Sequence, residues 1–169
     1  MDFKASLDPL AKGITVGVIL LFAYLGWRSY KAISRTDAMD SSTLLFHGGI
    51  LLLLLGILLF SLLWSPRGYS IRGDRFLVHR YIGPKTFELS SIGSVEPMDR
   101  SQLSGTIRTF GVGGLFGYFG KFHNPNIGSM DYYVTQRKNF IMIRTHAGKK
   151  IVLSPDDQGL ADKLRKSLP

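Results

Sequence analysis

Two uncharged segments near the N-terminus constrain the fold of this chain more than any other feature of its sequence. The second of them, Ser41 to Pro66, contains a leucine-dominated stretch of 21 residues, Leu44 to Trp64. At about 1.5 Å per helical residue, this stretch is long enough to cross a bilayer core of about 30 Å. The first, Gly13 to Trp27, spans only about 22 Å, but Lys12 and flanking aromatic residues extend it towards the headgroup layers. Both segments are therefore predicted to be transmembrane helices.

The two segments predict a hairpin in the membrane, with helices at about residues 13–30 and 44–64. The polar connector between them, Arg28 to Thr43, is short, so the helices should be antiparallel, with both chain ends on one face of the membrane. Basic residues near the helix ends are more numerous on that face than in the connector, whose cations include Arg35. The positive-inside rule then places both termini and the C-terminal part of the chain in the cytoplasm.

The first segment also fits a cleaved signal peptide, which begins with positive charge and ends at a small-residue cleavage site. Here the acidic residues Asp2 and Asp8 precede the segment, and no convincing small-residue site follows Trp27. A retained helix therefore explains the segment better than a cleaved leader.

The charge balance favours a membrane surface as the partner of the remaining residues. The chain has 21 Lys and Arg against 12 Asp and Glu, and beside an anchor the nearest polyanion is the phospholipid headgroup layer. We therefore expect contact with the bilayer and its anionic headgroups, and none with nucleic acid. The sequence has no cysteine, which excludes disulfides, thiolate metal sites and cysteine nucleophiles. No metal or other cofactor is predicted.

From Ser65 onward, short strand-like runs alternate with turn residues. Gly73-Asp74, between two such runs, is a pair suited to a tight β-hairpin turn. Other turn candidates are residues 137–139 and 146–148. About seven strands are predicted, at residues 70–72, 75–81, 85–89, 92–96, 132–135, 140–145 and 150–153.

A C-terminal helix has a well-marked start in the sequence. Residues 154–157, Ser-Pro-Asp-Asp, supply an N-cap, a proline for the first helical position and two acids where the helix dipole favours them. Leu160, Leu164 and Leu168 then recur at helical spacing. The helix is therefore expected to cover one end of the β-structure through this apolar face.

Two segments carry a resemblance to a known family. The glycine-aromatic run Phe110 to Gly120 and the sequence Leu153-Ser154-Pro155-Asp156-Asp157 resemble bacterial pleckstrin-homology-like (PH-like) domains, and the likeness covers about Tyr69 to Leu168. In that family the domain often follows one or two membrane-spanning helices. The resemblance implies a curved, seven-stranded β-barrel or sandwich capped by the C-terminal helix. It implies no catalysis, and the ligands of the family are largely undefined.

The predicted architecture is thus an α+β membrane protein in three parts. Residues 1–12 are an N-terminal tail, residues 13–64 a transmembrane hairpin, and residues 65–169 the PH-like domain. The resemblance to a bacterial family implies that the membrane is the inner (cytoplasmic) one, which the chain is expected to cross as a multi-pass protein. The expected function is a membrane-anchored binding module for a protein partner or a lipid headgroup. The alternative is a structural or assembly subunit that oligomerises through its PH-like domain within a membrane complex.

The glycine-aromatic run is open to two interpretations. In the first, glycines allow tight bends or close packing of strands, and aromatic side chains fill the barrel. In the second, the run forms an aromatic loop at the bilayer surface, with basic residues facing lipid phosphates. The candidates for membrane or partner contact are Phe116, Tyr118, Phe119, Phe122, Arg108 and Lys121. A nucleotide-binding loop is not supported, because Leu115 and Phe122 stand where a P-loop needs a glycine and a hydroxyl.

A second candidate surface is basic. Arg72, Arg75 and Arg80, in and beside the first predicted hairpin, are the candidates for binding a lipid headgroup. Asp74 in the turn dilutes their charge, and the basic motif by which many PH domains recognise phosphoinositides is absent from this loop. Phosphoinositide specificity is therefore not predicted.

Small residues recur in both predicted helices. Gly13 and Gly17 are four residues apart in the first, and Gly49 and Gly56 two turns apart in the second. Such spacing suits close helix contacts, and packing within the hairpin is favoured over dimerisation. His47 has no acidic partner in either span and is interpreted as an interfacial residue rather than a proton relay.

Catalysis finds little support in the sequence. His79, His123 and His146 lie on separate segments, and neither H-E-x-x-H nor G-x-S-x-G occurs. No pair of carboxylates shares an evident site. The chain is therefore not predicted to be an enzyme.

Overall fold

The structure is a computed structural model that describes residues 2–34 and 41–169. Within this part the chain forms three α-helices, ten β-strands and two short 3-10 helices, Leu89–Ser91 and Arg100–Leu103. The helices are α1 (Pro9–Ser34), α2 (Ser41–Trp64) and α3 (Gly159–Ser167). The strands are β1 (Asp2–Lys4), β2 (Pro66–Arg72), β3 (Arg75–Arg80), β4 (Lys85–Glu88), β5 (Ile92–Met98), β6 (Ile107–Gly114), β7 (Gly117–Asn124), β8 (Gly128–Val134), β9 (Phe140–Thr145) and β10 (Lys150–Leu153).

Helices α1 and α2 are longer than the predicted spans. They contain 26 and 24 residues, which makes them about 39 and 36 Å long. In their most apolar windows only 11% and 6% of the residues are buried, so these helices are not the core of a soluble domain. Both are long and apolar enough to cross a membrane. Residues 35–40, which include Arg35 and part of the predicted polar connector, lie outside the described residues.

The two helices contact each other, but not at the predicted glycines. Leu51 packs against Gly26, 3.5 Å from the point where a Cβ would lie, and His47 Nδ1 lies 3.4 Å from the Ser29 hydroxyl. A Cβ at Gly13, Gly17, Gly49 or Gly56 would meet no atom within 4 Å in the described part of the chain. The prediction that these four glycines pack within the hairpin is therefore wrong.

The domain is a sandwich of two open sheets. One sheet has the strand order β1-β2-β3-β4, and the other the order β5-β9-β10-β8-β7-β6. All neighbouring strands are antiparallel except β8 and β10, which are parallel. Of the two predicted forms, barrel or sandwich, the sandwich is the one observed, and no closed barrel forms among the described strands. The predicted Gly73-Asp74 turn is confirmed as the connection between β2 and β3.

Residues 66–153 form nine strands rather than the predicted seven, because the glycine-aromatic run is itself the β6–β7 hairpin. Gly111 pairs directly with Gly120 across this hairpin. A Cβ at Gly111 would lie 2.3 Å from the Phe119 carbonyl oxygen, and one at Gly120 would lie 2.4 Å from that of Phe110. These glycines therefore serve close approach of two strands, which is one of the two roles expected for them from the sequence.

The main core lies between the two sheets. Tyr69, Phe76 and Val78 of the four-stranded sheet face Ile141 and Ile143 of β9. Leu160 and Leu164 of α3 are fully buried against this cluster, and Leu168 packs beside it. The predicted apolar face of the C-terminal helix is thus confirmed, and it closes one end of the sandwich.

The start of this helix differs from the prediction. Helix α3 begins at Gly159, four residues after Pro155. Ser154 is buried, and its hydroxyl accepts hydrogen bonds from the backbone N–H groups of Thr135 (2.8 Å) and Gln136 (3.2 Å). The Asp156 carboxylate accepts from the Ser6 N–H and hydroxyl, at 2.9 and 2.6 Å. The polar groups that resemble a helix cap instead cross-link distant loops.

Candidate functional site at the junction of helices and domain

Both long helices are connected along the chain to neighbouring strands of one sheet. Strand β1 precedes α1, and β2 begins two residues after α2 ends. The two strands are antiparallel neighbours, with Phe3 paired to Tyr69 and Lys4 to Gly68. A Cβ at Gly68 would lie 2.7 Å from the Phe3 carbonyl oxygen, so glycine permits this close pairing. Residues 2–4, within the segment predicted as a tail, thus bind the domain and hold the two helix ends side by side.

Asp8 joins the start of α1 to the domain. Its carboxylate accepts a hydrogen bond from the Ala11 N–H at 2.7 Å, as a helix cap does. It also accepts from the Arg137 backbone N–H at 3.2 Å and from Arg137 Nε at 3.0 Å. Burial alone would raise the pKa of Asp8, but these hydrogen bonds and the Arg137 charge bring the pKa below its usual value. The ionised carboxylate therefore fixes the direction in which α1 leaves the domain.

The turn between β6 and β7 packs on the next part of α1. Phe116 adopts a positive φ of 56° in this turn, and its backbone N–H donates to the Thr15 hydroxyl at 2.9 Å. That hydroxyl donates in turn to the Ala11 carbonyl at 2.7 Å. A Cβ at Gly114 would lie 2.6 Å from Ile14 Cδ1, so the glycine lets the helix lie against the strand.

The end of α2 is held in a similar way. The Ile82 backbone N–H donates to the Leu63 carbonyl at 3.0 Å. The turn after β3 leaves Tyr81 and Ile82 about half exposed, and the Arg67 guanidinium lies 4.0 Å from the centre of the Tyr81 ring. An exposed aromatic, an aliphatic and a cation beside the end of an apolar helix are the residue types of a membrane interface. The residues of this turn were not among the predicted candidates for membrane contact.

The predicted headgroup residues are not brought together. Arg72 and Arg75 face each other across the β2–β3 turn, where Arg72 lies 3.9 Å from Asp2 and Arg75 lies 3.7 Å from Asp74. Arg80 is at the other end of β3 and donates from Nε to the Gly83 carbonyl at 3.1 Å. Since a strand advances about 3.3 Å per residue, five residues separate Arg75 from Arg80 by roughly 16 Å. Arg80 alone lies near the helices.

The predicted aromatic candidates divide between the interior and the surface. Phe119 and Phe122 are buried, and this burial removes them from the side chains that could touch a bilayer. Phe116 and Tyr118 are half-buried, and Arg108 is exposed, with its guanidinium over Gly113. The first interpretation, in which the aromatics fill the domain, thus describes Phe119 and Phe122.

Lys121 is exposed but already has an anionic partner. Its ammonium group lies 2.5 Å from one oxygen of the Asp131 carboxylate, and that of Lys149 lies 2.7 Å from the other. Burial raises the pKa of Asp131, but the two lysine hydrogen bonds outweigh this and hold the pKa below its usual value. Lys121 would have to leave this buried carboxylate before it could bind a lipid phosphate.

The exposed aromatic of the hairpin is Phe110, which was not among the predicted candidates. Phe110 is 73% exposed and Ile107 61% exposed, both on the edge strand β6. Phe110 and Val112 line an apolar cavity of about 490 Å³ together with Leu53 and Phe60 of α2. The free edge of the six-stranded sheet therefore runs alongside the apolar helices.

One pair of side chains in the structure has the spacing of a catalytic pair. The Ser70 hydroxyl and His79 Nε2 are 2.8 Å apart, which is the distance of a nucleophile and its base. Ser70 is fully buried, so no substrate can reach its hydroxyl. Across residues 2–34 and 41–169, no three His, Asp or Glu side chains are placed to hold a metal ion. The junction described above combines exposed apolar and cationic side chains beside the ends of two apolar helices.

Comparison with known proteins identifies the domain. The family described as Bacterial PH domain matches residues 67–168, which is more than half of the chain. Neither a curated protein nor a solved structure matches the chain. The match covers β2 to α3, the sandwich and the helix that closes it. The resemblance stated from the sequence is thereby confirmed, and the chain belongs to the bacterial PH domain family.

Proposed function

We propose that this chain is a membrane-anchored binding module without catalytic activity, which displays its PH-like domain at the cytoplasmic surface of the inner membrane. The observation that carries the proposal is the way the two helices are attached to the domain. Two exposed apolar helices leave adjacent strands of one sheet, and Asp8, Thr15 and Leu63 fix them to the domain. Such an anchor presents the domain in one orientation and raises its effective concentration for partners at the membrane.

Retention in the membrane tests the anchor. The full chain in bacterial membranes should stay in the pellet after an alkaline carbonate wash. Leu52→Arg with Leu53→Arg should release it, because each arginine near the middle of a span costs about 2.5–3.5 kcal/mol and both leucines are well exposed. The matched control is Thr86→Arg with Ser90→Arg on the exposed domain surface. Release of the unmodified chain, or retention of both double variants, would contradict the anchor.

Orientation can be tested separately, since the chain has no cysteine. A membrane-impermeant thiol reagent should label Ser34→Cys at the end of α1 from outside intact spheroplasts. It should label Ser90→Cys on the domain only after the membrane is opened. The reverse pattern would place the domain outside the cytoplasm.

A second candidate function is that of an assembly subunit. Two observations favour it: Gly13 and Gly17 leave open space on the surface of α1, and β6 is a free strand edge. Cross-linking in intact membranes separates the two functions. A regular ladder of homomers would favour assembly, whereas a single band with a different protein would favour recruitment of a partner.

A further inference from the structure

The outer face of the six-stranded sheet carries an apolar groove that lies outside the sandwich core. Residues of β9 alternate between the two faces of the sheet. Ile141 and Ile143 pack in the core between the sheets, whereas Phe140 and Met142 belong to a second apolar cluster. The 3-10 helix Arg100–Leu103 adds Leu103 to this second cluster and forms one wall of the groove.

The size and lining of the groove suit an organic ligand. Its volume is about 640 Å³, within the range of about 300–1,000 Å³ that is usual for small-molecule sites. The floor is aromatic: the rings of Phe122 and Tyr132 stack with centroids 4.2 Å apart, and Tyr118 and Phe140 extend this surface. The greater part of a ligand here would be apolar.

One end of the groove is positively charged and incompletely bonded. The Tyr118 hydroxyl oxygen is buried near the Asp8 carboxylate, and this burial together with the Asp8 charge raises the Tyr118 pKa. The oxygen completes no well-formed hydrogen bond within the described residues. Arg100 is exposed and, in the same part of the chain, makes neither a hydrogen bond nor an ion pair. Arg137 uses Nε and its backbone N–H for Asp8, so its terminal amino groups remain available. Arg100 and Arg137 each carry one positive charge and Asp8 one negative charge, so the net charge at this end of the groove is +1.

The charged end lies where α1 begins. An adjoining cavity is lined by Leu7, Asp8 and Pro9, and it shares Arg100 and Arg137 with the groove. Pro9 is the first residue of α1. If α1 crosses the bilayer, this end of the groove lies at the level of the lipid phosphates, and the nearest anion with an apolar body is a lipid of the same membrane.

We propose that the groove binds one anionic glycerophospholipid, with its phosphate at Arg100, Arg137 and the Tyr118 hydroxyl and part of one acyl chain along the aromatic floor. The inference rests on the proposed membrane anchor and names the ligand class of the binding module. A phosphodiester with no cation of its own matches the single net positive charge. The ammonium group of a zwitterionic headgroup would instead face two guanidinium groups.

Photolabelling of the full chain tests the proposal. The chain is reconstituted in phosphatidylcholine nanodiscs that contain a small fraction of phosphatidylglycerol with a diazirine in one acyl chain. After illumination, labelled peptides are mapped by mass spectrometry. Label is expected in residues 100–106 and 117–122, in addition to the label that α1 and α2 receive from surrounding lipid. Excess unlabelled phosphatidylglycerol should remove the groove label, and excess phosphatidylcholine should not.

Three variants sharpen the test. Arg100→Gln should lower groove labelling about tenfold, the effect of one lost charge-assisted contact, while Arg75→Gln in the distant β2–β3 turn should leave it unchanged. Tyr118→Phe should also lower labelling, with little loss in the thermal stability of the lipid-free chain, because the hydroxyl completes no well-formed hydrogen bond there. A drop in stability without a drop in labelling would show a merely structural role.

Other outcomes overturn the inference. Labelling confined to α1 and α2, or equal competition by phosphatidylcholine, would show that no anionic lipid is selected. Competition by glycerol phosphate or inorganic phosphate at the same concentration as phosphatidylglycerol would assign the groove to a soluble phosphate. A carbonate wash of the same chain in membranes separates the two proposals. If the chain is retained and the groove is unlabelled, only the groove proposal fails; if the chain is released, the anchor fails.

Discussion

Tyr69 is the residue whose hydroxyl links the two sheets most directly. Its side chain is fully buried, its hydroxyl donates to the Tyr133 carbonyl at 2.6 Å, and it accepts from the Ser154 N–H at 3.1 Å. Tyr69→Phe keeps the ring and its packing but leaves a buried carbonyl and a buried N–H without their partner. Since each unsatisfied buried group costs about 1–3 kcal/mol, we expect the two groups to lower the free energy of unfolding by about 2–6 kcal/mol.

This loss should be large enough to measure in the full chain. For a domain of about 100 residues, 1 kcal/mol changes the melting temperature by roughly 4–8 °C, so we expect a decrease of at least about 8 °C. Thermal unfolding of the full chain in mild detergent, followed by circular dichroism in the β-sheet region, provides the assay. The matched control is Tyr81→Phe, because Tyr81 is half exposed and its hydroxyl has no hydrogen-bond partner within the described residues.

The control should change stability by no more than about 0.5 kcal/mol. If Tyr69→Phe behaves like Tyr81→Phe, the hydroxyl does not connect the sheets and the reasoning is refuted. An equal loss in both variants would point to a general effect of removing tyrosine hydroxyls.

Three further predictions concern pH, the helix cap and the strand hairpin. Burial raises the pKa of Tyr69 far above its usual value of 10.0, so above pH 10 the unfolded chain releases a proton that the folded chain keeps. Between pH 10 and 11.5, the free energy of unfolding obtained from melting curves should therefore fall more steeply in the unmodified chain than in Tyr69→Phe, with a difference in slope that approaches about 1.4 kcal/mol per pH unit. Asp8→Asn should cost about 1–2 kcal/mol at pH 7 and speed hydrogen exchange at the Arg137 amide. Because the folded pKa of Asp8 is lowered, this difference should be complete above the usual pKa and vanish as the pH falls through the folded pKa. A difference that does not shrink as the pH is lowered below 4 would contradict the assignment. Gly120→Ala should destabilise the domain by at least about 2 kcal/mol in denaturant titration, since its Cβ would lie 2.4 Å from a carbonyl oxygen, whereas Gly148→Ala, which also has a positive φ but open space, should cost about 1 kcal/mol.

Patterns in the sequence predicted the elements that are determined by residues close together along the chain. The apolar helices, the Gly73-Asp74 turn and the apolar face of α3 were all recognisable, because hydrophobic spacing and turn chemistry determine them. The β6–β7 hairpin was missed, because glycine is ordinarily depleted in strands. Its glycines are required by a backbone contact between Gly111 and Gly120 that only pairing creates.

The cross-links between distant segments could not be predicted. Ser154 and Asp156 have the residue types of a helix cap, yet they bind the chain around Thr135 and the N-terminal Ser6. Likewise, the charged end of the groove combines Arg100 and Arg137 with Tyr118, three residues that only the tertiary fold brings together. Of the charged end, the sequence indicated Tyr118 alone, and of the aromatic floor it indicated Phe122; both belong to the glycine-aromatic run or closely follow it.

The depth of α2 in a bilayer tests the central claim most directly. A nitroxide spin label is attached at Leu53→Cys, or at Ser90→Cys on the domain, in the otherwise cysteine-free full chain reconstituted in vesicles. Collision of each label with oxygen, which concentrates in lipid, and with a water-soluble nickel complex is then measured by electron paramagnetic resonance. The account predicts that the label at position 53 is accessible to oxygen and shielded from nickel, and that the label at position 90 shows the reverse. Ready access of nickel to position 53 would contradict it.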